Sequence, residues 1–187
     1  EIFGDDRFYG PERSEEDTLA LADVTRDEAR LRDYVRNHAP NMVGTAHKRL
    51  SGFVDGYDPR DPALPKRGWQ GVRDSDSCLR EFLEENLWEI HIDPYGNLQT
   101  NCCMILGHIS ETTPAKLFAR GPERANRFVR TVCESGPMGL AELAIREYGF
   151  EMPERVTQNC ELCHLARSFL RRFHPEVFGP AEVYGQA

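Results

Sequence analysis

The sequence predicts an α+β fold that is mainly helical and contains one small antiparallel β-hairpin around a cysteine-ligated metal site. Three observations lead to this class. Apolar residues recur at helical spacing over much of the chain, one short stretch near its middle alternates apolar and polar residues, and six cysteines include a C-x2-C pair. The 187 residues suit one domain, or one domain with an appendage, at roughly 150 residues per domain.

Residues 1–56 have the pattern of a helical N-terminal segment. Thr25 to Glu28 has the form of a capping box, and a single helical stripe follows, made of Leu31, Tyr34, Val35 and His38. Pro40 ends this helix because its ring cannot continue the helical hydrogen bonds. A second helix is predicted from Met42 to Val54.

Residues 57–77 are predicted to be a long loop or linker. Glycine and proline interrupt this polar stretch repeatedly, and no helical or strand period persists through it. Loops of this length are uncommon inside compact domains and usually serve a function or separate two units. The stretch therefore marks the boundary before the cysteine-rich part of the chain.

Residues 78–187 are predicted to form a metal-binding domain. A short helix is expected from Cys78 to Leu87, and Trp88 to Asp93 then alternates as a strand does. Pro94 to Asn97 supplies turn residues, and Leu98 to Met104 is expected to return as the second strand of a hairpin. The hairpin would deliver a pair of adjacent cysteines at its far end.

Helices are predicted again after the hairpin. Three of them open at prolines, with Thr113-Pro114 as a cap and first helical residue, and with Pro122 and Pro137 starting the next two. The last helix is predicted from Glu161 to Phe173. Its apolar stripe would dock on the core and consists of Leu162, Leu165, Ala166, Phe169, Leu170 and Phe173, while Arg167 would lie on the polar side.

The charge balance argues against nucleic acid and membrane partners. The chain has 31 acidic and 23 basic residues, a formal net charge of −8, which is the wrong sign for binding a phosphate backbone. No apolar run approaches the roughly 18 residues that would span a bilayer, so a cytoplasmic location is expected. Since the first residue is Glu1, a processed chain or a fragment is also expected.

The number and spacing of the cysteines predict metal binding. Six in 187 residues, about 3%, is too sparse for a disulfide-stapled scaffold, where the fraction exceeds roughly 8–10%. Cys160 and Cys163 are spaced to converge on one metal at a helix entrance, and both zinc and iron–sulfur sites need about four ligands. The remaining ligands would be Cys78 and either Cys102 or Cys103, because neighbours on a strand face opposite sides.

Two alternatives use the same region. The first is a structural zinc domain that mediates protein contacts. The second is a c-type haem attached through Cys160, Cys163 and His164, with Met104 or Met138 as the axial partner. Cys133, in a helical pattern, is predicted to be a buried thiol rather than a ligand. No motif for phosphate, dinucleotide or hydrolase chemistry is present in the sequence, so the chain alone is not expected to be an enzyme.

Several short segments of the sequence resemble segments of a known protein family. The stretch Ile90–Leu98, then Cys102-Cys103 and Leu106–Ile109, is similar to the hairpin of the SPASM-type auxiliary cluster region that follows the barrel in many radical S-adenosylmethionine proteins. Gly136–Leu140 and Cys160–His164 are similar to the tail of an uncharacterised branch of that family. The similarity covers about residues 78 to 185.

The resemblance implies an auxiliary 4Fe-4S cluster that transfers electrons or ligates a peptide or small-molecule substrate beside a radical S-adenosylmethionine barrel. Under it, Cys78, Cys102 or Cys103, Cys160 and Cys163 are the cluster ligands, and residues 1–56 include the remnant of a barrel. The family's catalytic C-x3-C-x2-C motif is absent from this sequence. The barrel would therefore have been removed or would lie on another polypeptide.

Overall fold

The computed structural model describes residues 27–38, 50–65, 71–73, 91–100, 103–121 and 124–179. The chain divides into two compact units, Glu1–Gly56 and Tyr57–Ala187. The described elements confirm the predicted α+β class. They are α1 (Glu28–His38), a 3-10 helix (Ser51–Phe53), β1 (His91–Ile92), β2 (Asn97–Gln99), β3 (Ile105–His108), α2 (Pro114–Arg120), α3 (Arg127–Tyr148), α4 (Asn159–Leu170) and α5 (Pro175–Phe178).

In the first unit, the helix cap differs from the predicted capping box. The carboxylate of Asp27 accepts the backbone N–H groups of Ala29 at 2.9 Å and Arg30 at 3.2 Å, so Asp27 caps α1, while Thr25 lies outside the described residues. Leu31 and Val35 on the predicted stripe are buried against residues around the 3-10 helix. Of the predicted helix from Met42 to Val54, the described end is helical up to Phe53.

In the second unit, three antiparallel strands form one sheet in the order β1-β2-β3. His91 pairs with Gln99 and Leu98 pairs with Gly107, so the central strand has a partner on each side. The predicted return strand from Leu98 to Met104 is therefore wrong in its extent. It ends at Gln99, and the chain turns again to make a third strand that the sequence pattern did not predict.

The predicted turn between β1 and β2 is confirmed in detail. Asp93 N–H donates to the carbonyl of Asn97 at 3.1 Å, and Gly96 N–H donates to the carbonyl of Asp93 at 3.0 Å. Gly96 has φ +86, and a Cβ there would lie 2.8 Å from Nε2 of His108, so the turn requires glycine. This is a three-residue hairpin loop with the glycine at its left-handed position.

The carboxylate of Asp93 holds this turn in place. It accepts hydrogen bonds from Tyr95 N–H, from the backbone and side-chain amides of Asn97, and from the side-chain amide of Gln99, at 2.7–2.9 Å. Burial raises the pKa of Asp93, but these hydrogen bonds outweigh burial and place the pKa below its ordinary value. Asp93 is accordingly an ionised anchor of the hairpin.

The helices after the sheet begin at side-chain caps. Thr113 accepts the backbone N–H of Lys116 at 3.3 Å and Pro114 is the first residue of α2, as predicted. The predicted helix start at Pro122 lies outside the described residues. The next described helix begins at Arg127, where Asn126 caps it through hydrogen bonds from two backbone amides. Asn126 also donates to the carbonyl of Ile105 at 3.1 Å, which fixes the start of α3 on β3.

Helix α3 consists of two segments that fold back on each other. Gly136 has φ 63 and ψ −166, which no helix contains, and Pro137 follows it. A straight helix would separate Arg127 from Glu147 by about 30 Å, yet their charged groups are 2.8 Å apart. The predicted new helix at Pro137 is thus confirmed.

The interruption of α3 at Gly136 and Pro137 also binds Val72, which lies in a described part of the predicted long loop. Met138 N–H donates to the carbonyl of Val72 at 2.7 Å instead of to its own helix, and both side chains are buried in the main core. That core lies between α3 and α4 and includes the central strand through Leu98. In the described part of the chain, no helix has the length and apolar character needed to cross a bilayer.

Candidate metal-binding site

The C-x2-C pair lies at the start of α4. The helix begins at Asn159, two residues earlier than predicted, so Cys160 and Cys163 are its second and fifth residues. The side-chain carboxylate of Glu161 turns back and accepts the N–H of Thr157 at 2.6 Å and its hydroxyl at 2.8 Å. Cys160 therefore lies in the first turn of α4, where the helix dipole favours negative charge, and Cys163 lies one turn further along the helix.

Helix α4 ends at Leu170, three residues before the predicted end. Three turn residues follow, and His174, with φ −137 and ψ 61, leaves helical geometry before Pro175. The predicted apolar stripe is correct at Leu162, Ala166 and Leu170, which are fully buried. It is wrong at its outer edge, where Leu165 and Phe173 are 37% and 46% exposed.

The residues of the C-x2-C-H motif differ in exposure. Cys160 is exposed, Cys163 is 4% exposed and packs in the main core, and His164 is exposed. Met104 and Met138, the predicted axial partners of a haem, are at most 2% exposed and belong to that core. Neither methionine lies at the surface with His164, and the c-type haem alternative stays a prediction.

Arg167 is buried although the sequence predicted it on the polar face of the helix. It is 8% exposed, and its Nε donates to the carbonyl of Cys163 at 3.4 Å. A guanidinium does not lose its proton in proteins, so a positive charge lies one helical turn after the second cysteine. This charge favours a thiolate or an anionic group at the helix entrance.

Tyr57 is a neighbour of the pair that sequence reasoning missed. It forms an isolated antiparallel bridge with Val156, with backbone hydrogen bonds of 2.8 and 2.9 Å, just before α4. Burial raises the pKa of Tyr57, and the nearby Cys160 and Glu161 raise it further. Tyr57 is therefore a neutral phenol that can donate a hydrogen bond beside Cys160. No sequence signal indicates this pairing across about a hundred residues.

Cys103 lies in a second turn, between β2 and β3, and not on a strand as predicted. Thr100 N–H donates to the carbonyl of Met104 at 2.9 Å, and Cys103 N–H donates to the carbonyl of Thr100 at 2.8 Å. This repeats the Asp93–Asn97 turn, with Cys103 at φ 63 in the place of Gly96. A cysteine thus occupies a left-handed position where glycine is usual, at a cost of roughly 1–2 kcal/mol.

The structure describes only some of the other cysteines that were predicted as ligands. Cys78 and Cys102 lie outside the described residues. Within the ranges that the structure describes, no three or more cysteine, histidine or acidic side chains form a group that could hold a metal ion, so Cys103 does not join Cys160 and Cys163 in such a group. Cys160 and Cys163 are the two predicted ligands that lie on one described element, α4. Cys133 is half-buried on α3 and packs against the core.

A second cluster of ionisable groups was also missed by the sequence reasoning. Arg127 donates to the hydroxyl of Tyr148, which lies 2.6 Å from Nε2 of His174, and Nδ1 of His174 lies 3.0 Å from the carboxylate of Glu176. The cluster links both ends of α3 to the start of α5. The sequence signal for this cluster was the tripeptide His174-Pro175-Glu176. Proline is common at the first position of a helix, so Pro175 marks a helix start with a histidine directly before it.

No protein-family model, curated protein or solved structure matches this chain.

Replacing Cys103 by glycine should stabilise the metal-free protein. The substitution removes left-handed strain of roughly 1–2 kcal/mol but increases the entropy of the unfolded chain, so a net gain of about 0.5–1 kcal/mol in unfolding free energy is expected. Urea denaturation followed by circular dichroism measures it. Gly96→Ala, at the equivalent position of the first turn, should change stability in the opposite direction. A destabilised Cys103→Gly protein would show that the thiol itself stabilises the turn.

Proposed function

We propose that this chain is a thiolate metal-binding module in which Cys160 and Cys163 supply two ligands of an iron–sulfur cluster. The observation that carries the proposal is the placement of both cysteines within the first five residues of α4. Thiolates three residues apart on a helix share one face, and the helix entrance stabilises a negative charge on Cys160 in the first turn.

The surroundings of the pair support an anionic centre. The buried Arg167 places a positive charge on the same helix, and its Nε contacts the carbonyl of Cys163. Tyr57, held neutral beside Cys160, offers a hydrogen-bond donor rather than a second negative charge. Charges and hydrogen-bond donors around the sulfurs are the means by which a protein tunes a cluster.

The strained turn carries Cys103, a further candidate ligand in the proposal, although in the described structure it does not group with Cys160 and Cys163. A non-glycine residue in a left-handed conformation persists only where the surrounding structure enforces it, and such residues concentrate at functional sites. Cys103 is such a residue, and its neighbours Thr100 and Met104 are fully buried. Cys78 together with Cys102 or Cys103 would complete the ligand set.

The wider role follows from the resemblance described above. We infer that the module is the auxiliary cluster portion of a radical S-adenosylmethionine enzyme whose barrel is supplied elsewhere. A bound cluster would supply one-electron transfer or a coordination position for a peptide or small-molecule substrate. The residues of this chain would hold the cluster, provide positive charge through Arg167 and donate a hydrogen bond through Tyr57.

Purification without oxygen, followed by metal and acid-labile sulfide analysis and an absorption spectrum, tests this function. Iron and sulfide in equal amounts, with a broad band in the blue–violet region, are expected. Stoichiometric zinc in a colourless protein would overturn the cluster and replace it with a structural zinc site. A Soret band would overturn it in favour of haem.

A further inference from the structure

Four polar side chains form a hydrogen-bonded relay that uses none of the cysteines. The relay consists of Arg127, Tyr148, His174 and Glu176. The guanidinium of Arg127 donates to the hydroxyl of Tyr148, and that hydroxyl lies 2.6 Å from Nε2 of His174. On the other side of the imidazole, Nδ1 lies 3.0 Å from the carboxylate of Glu176. Both ends of the relay are exposed and its two middle members are partly exposed, so small molecules in solution have access to it.

The two ends of the relay fix the direction of every hydrogen bond in it. A guanidinium can only donate, so the oxygen of Tyr148 accepts from Arg127 and its own proton is left for His174. An ionised carboxylate can only accept, so the imidazole proton lies on Nδ1 and faces Glu176. Nε2 of the neutral imidazole is therefore an unprotonated acceptor, and the phenol donates to it.

This direction of bonding favours transfer of the phenol proton to the imidazole. Transfer leaves a phenolate on Tyr148 beside the guanidinium of Arg127. It also leaves an imidazolium on His174, whose charge faces the carboxylate of Glu176. Opposite charges thus stabilise both products of the transfer. A nucleophile bonded to a base that a third group orients is the usual arrangement for activating a hydroxyl group.

Packing and a further ion pair hold the reacting groups in place. The ring of His174 contacts the rings of Phe128 and Tyr148, with centroid distances of 4.7 and 5.3 Å. The guanidinium of Arg127 also donates to the carboxylate of Glu147 at 2.8 Å, which fixes it over the start of α3. The base, the phenol and the cation are therefore held in position before any substrate arrives.

The surroundings of the phenol suit a small ester that carries an aromatic group. The ring of Phe173 lies 5.0 Å from that of Tyr148, centroid to centroid, and Phe173 is 46% exposed. An exposed ring beside the phenol can stack with an aromatic ring from solution. A guanidinium has five N–H groups, so Arg127 can donate to the carbonyl oxygen of an ester while it remains bonded to Tyr148 and Glu147.

We propose that Tyr148 is a nucleophile that accepts the acyl group of small aryl esters, with His174 as its general base. Arg127 stabilises the negative charge that develops on the phenol and on the ester oxygen. Glu176 is a positioning residue, which acts through His174. The proposal goes beyond the metal site, because no ligand of that site belongs to the relay.

The acyl transfer balances without a further reactant. The oxygen of Tyr148 attacks the carbonyl carbon of the ester, and its proton passes to Nε2 of His174. The bond between that carbon and the leaving oxygen then breaks, and the leaving oxygen takes the proton from His174. The products are an acylated Tyr148 and a free phenol, and nothing is oxidised or reduced.

Incubation of the full chain with p-nitrophenyl acetate, followed by peptide mass spectrometry, tests the proposal. An acetyl group on Tyr148 is expected, and its rate of appearance is measured. Tyr148→Phe keeps the ring and should abolish acetylation at this position. His174→Gln should slow the acetylation of Tyr148 by about a hundredfold, which is within the usual contribution of a general base. Circular dichroism checks that each variant is folded.

The role of Glu176 has a separate readout. Glu176→Gln should slow the acetylation of Tyr148 and move the acid limb of its pH–rate profile to lower pH. The reason is that an imidazole without the carboxylate takes up a proton less readily, while Tyr148 and Arg127 still face it. A lower rate with an unmoved profile would show that Glu176 has a structural role only.

Two other hydroxyl groups are matched controls within the same digest. Tyr95 is 62% exposed, which is more than Tyr148, so it reports reactivity that depends on exposure alone. The hydroxyl of Ser110 lies 2.6 Å from Nδ1 of His108, whose Nε2 faces the carbonyl of Tyr95 at 2.8 Å. Ser110 therefore reports what an imidazole partner achieves by itself. Both controls should be acetylated much more slowly than Tyr148.

Three results would overturn the proposal. These are acetylation of Tyr95 or Ser110 as fast as that of Tyr148, an unchanged rate at Tyr148 in the His174→Gln variant, and a Tyr148 that stays unmodified. The first and third come from the unaltered chain, so they hold even if a variant does not fold. None of these readouts depends on bound metal. Failure of the acyl transfer is therefore distinguishable from failure of the metal site, which the iron, zinc and sulfide contents report.

Discussion

Replacing Cys160 by alanine is expected to abolish metal binding, lowering the metal content of the purified protein from a full site to background. The reason is that a four-thiolate site loses a ligand at the helix entrance, where the remaining Cys163 is buried and cannot recruit a replacement from solvent. Metal analysis of the two proteins purified in parallel measures the loss. Folding should be retained, because Cys160 is exposed.

Cys133→Ala provides the control for this loss. Cys133 is half-buried on α3 and packs against the core, so its replacement should lower stability slightly and keep the metal. If Cys133→Ala releases the metal and Cys160→Ala does not, the ligand set proposed for this site is wrong. Equal retention in both variants would remove the C-x2-C pair from the site.

Replacing Gly136 by alanine is expected to cost about 3 kcal/mol of unfolding free energy. Gly136 has φ 63 and ψ −166, a combination that residues with a Cβ essentially never adopt, and it is buried at the reversal of α3. Without the reversal, Met138 N–H cannot reach the carbonyl of Val72, and the ion pair of Arg127 with Glu147 cannot form.

Gly149→Ala separates backbone strain from loss of the reversal. Gly149 has φ 75 and ψ 33 at the end of α3, and a Cβ there would meet nothing within 4 Å. Its replacement should cost about 1 kcal/mol, the usual penalty of a left-handed residue. Chemical denaturation of both variants makes the comparison. A Gly136→Ala protein no less stable than the Gly149→Ala protein would contradict the structural role given to the break.

The two hairpin turns show what local sequence could predict. The first turn was predicted because Pro94, Tyr95 and Gly96 carry the usual residues, with glycine at the left-handed position. The second turn has the same backbone hydrogen bonds but carries Cys103 at that position. Without a glycine signal the stretch was predicted as continuous strand, and the third strand was missed.

The burial of Arg167 and the position of Tyr57 show what local sequence could not predict. Arg167 follows the charge pattern of an exposed helix face, but its face is covered by tertiary packing and the charge is buried. Tyr57 reaches Cys160 from an irregular segment that has no periodicity. Both contacts depend on how distant elements pack, and helical or strand periods carry no information about that.

The central claim is that the sulfurs of Cys160 and Cys163 bind a metal, and X-ray absorption at the metal edge tests it most directly. The claim predicts sulfur as the nearest neighbour of the metal, at about 2.3 Å, with a reduced number of sulfur neighbours or no metal in the Cys160→Ala, Cys163→Ala double variant. A spectrum with only nitrogen and oxygen neighbours, or one unchanged in the double variant, would contradict it.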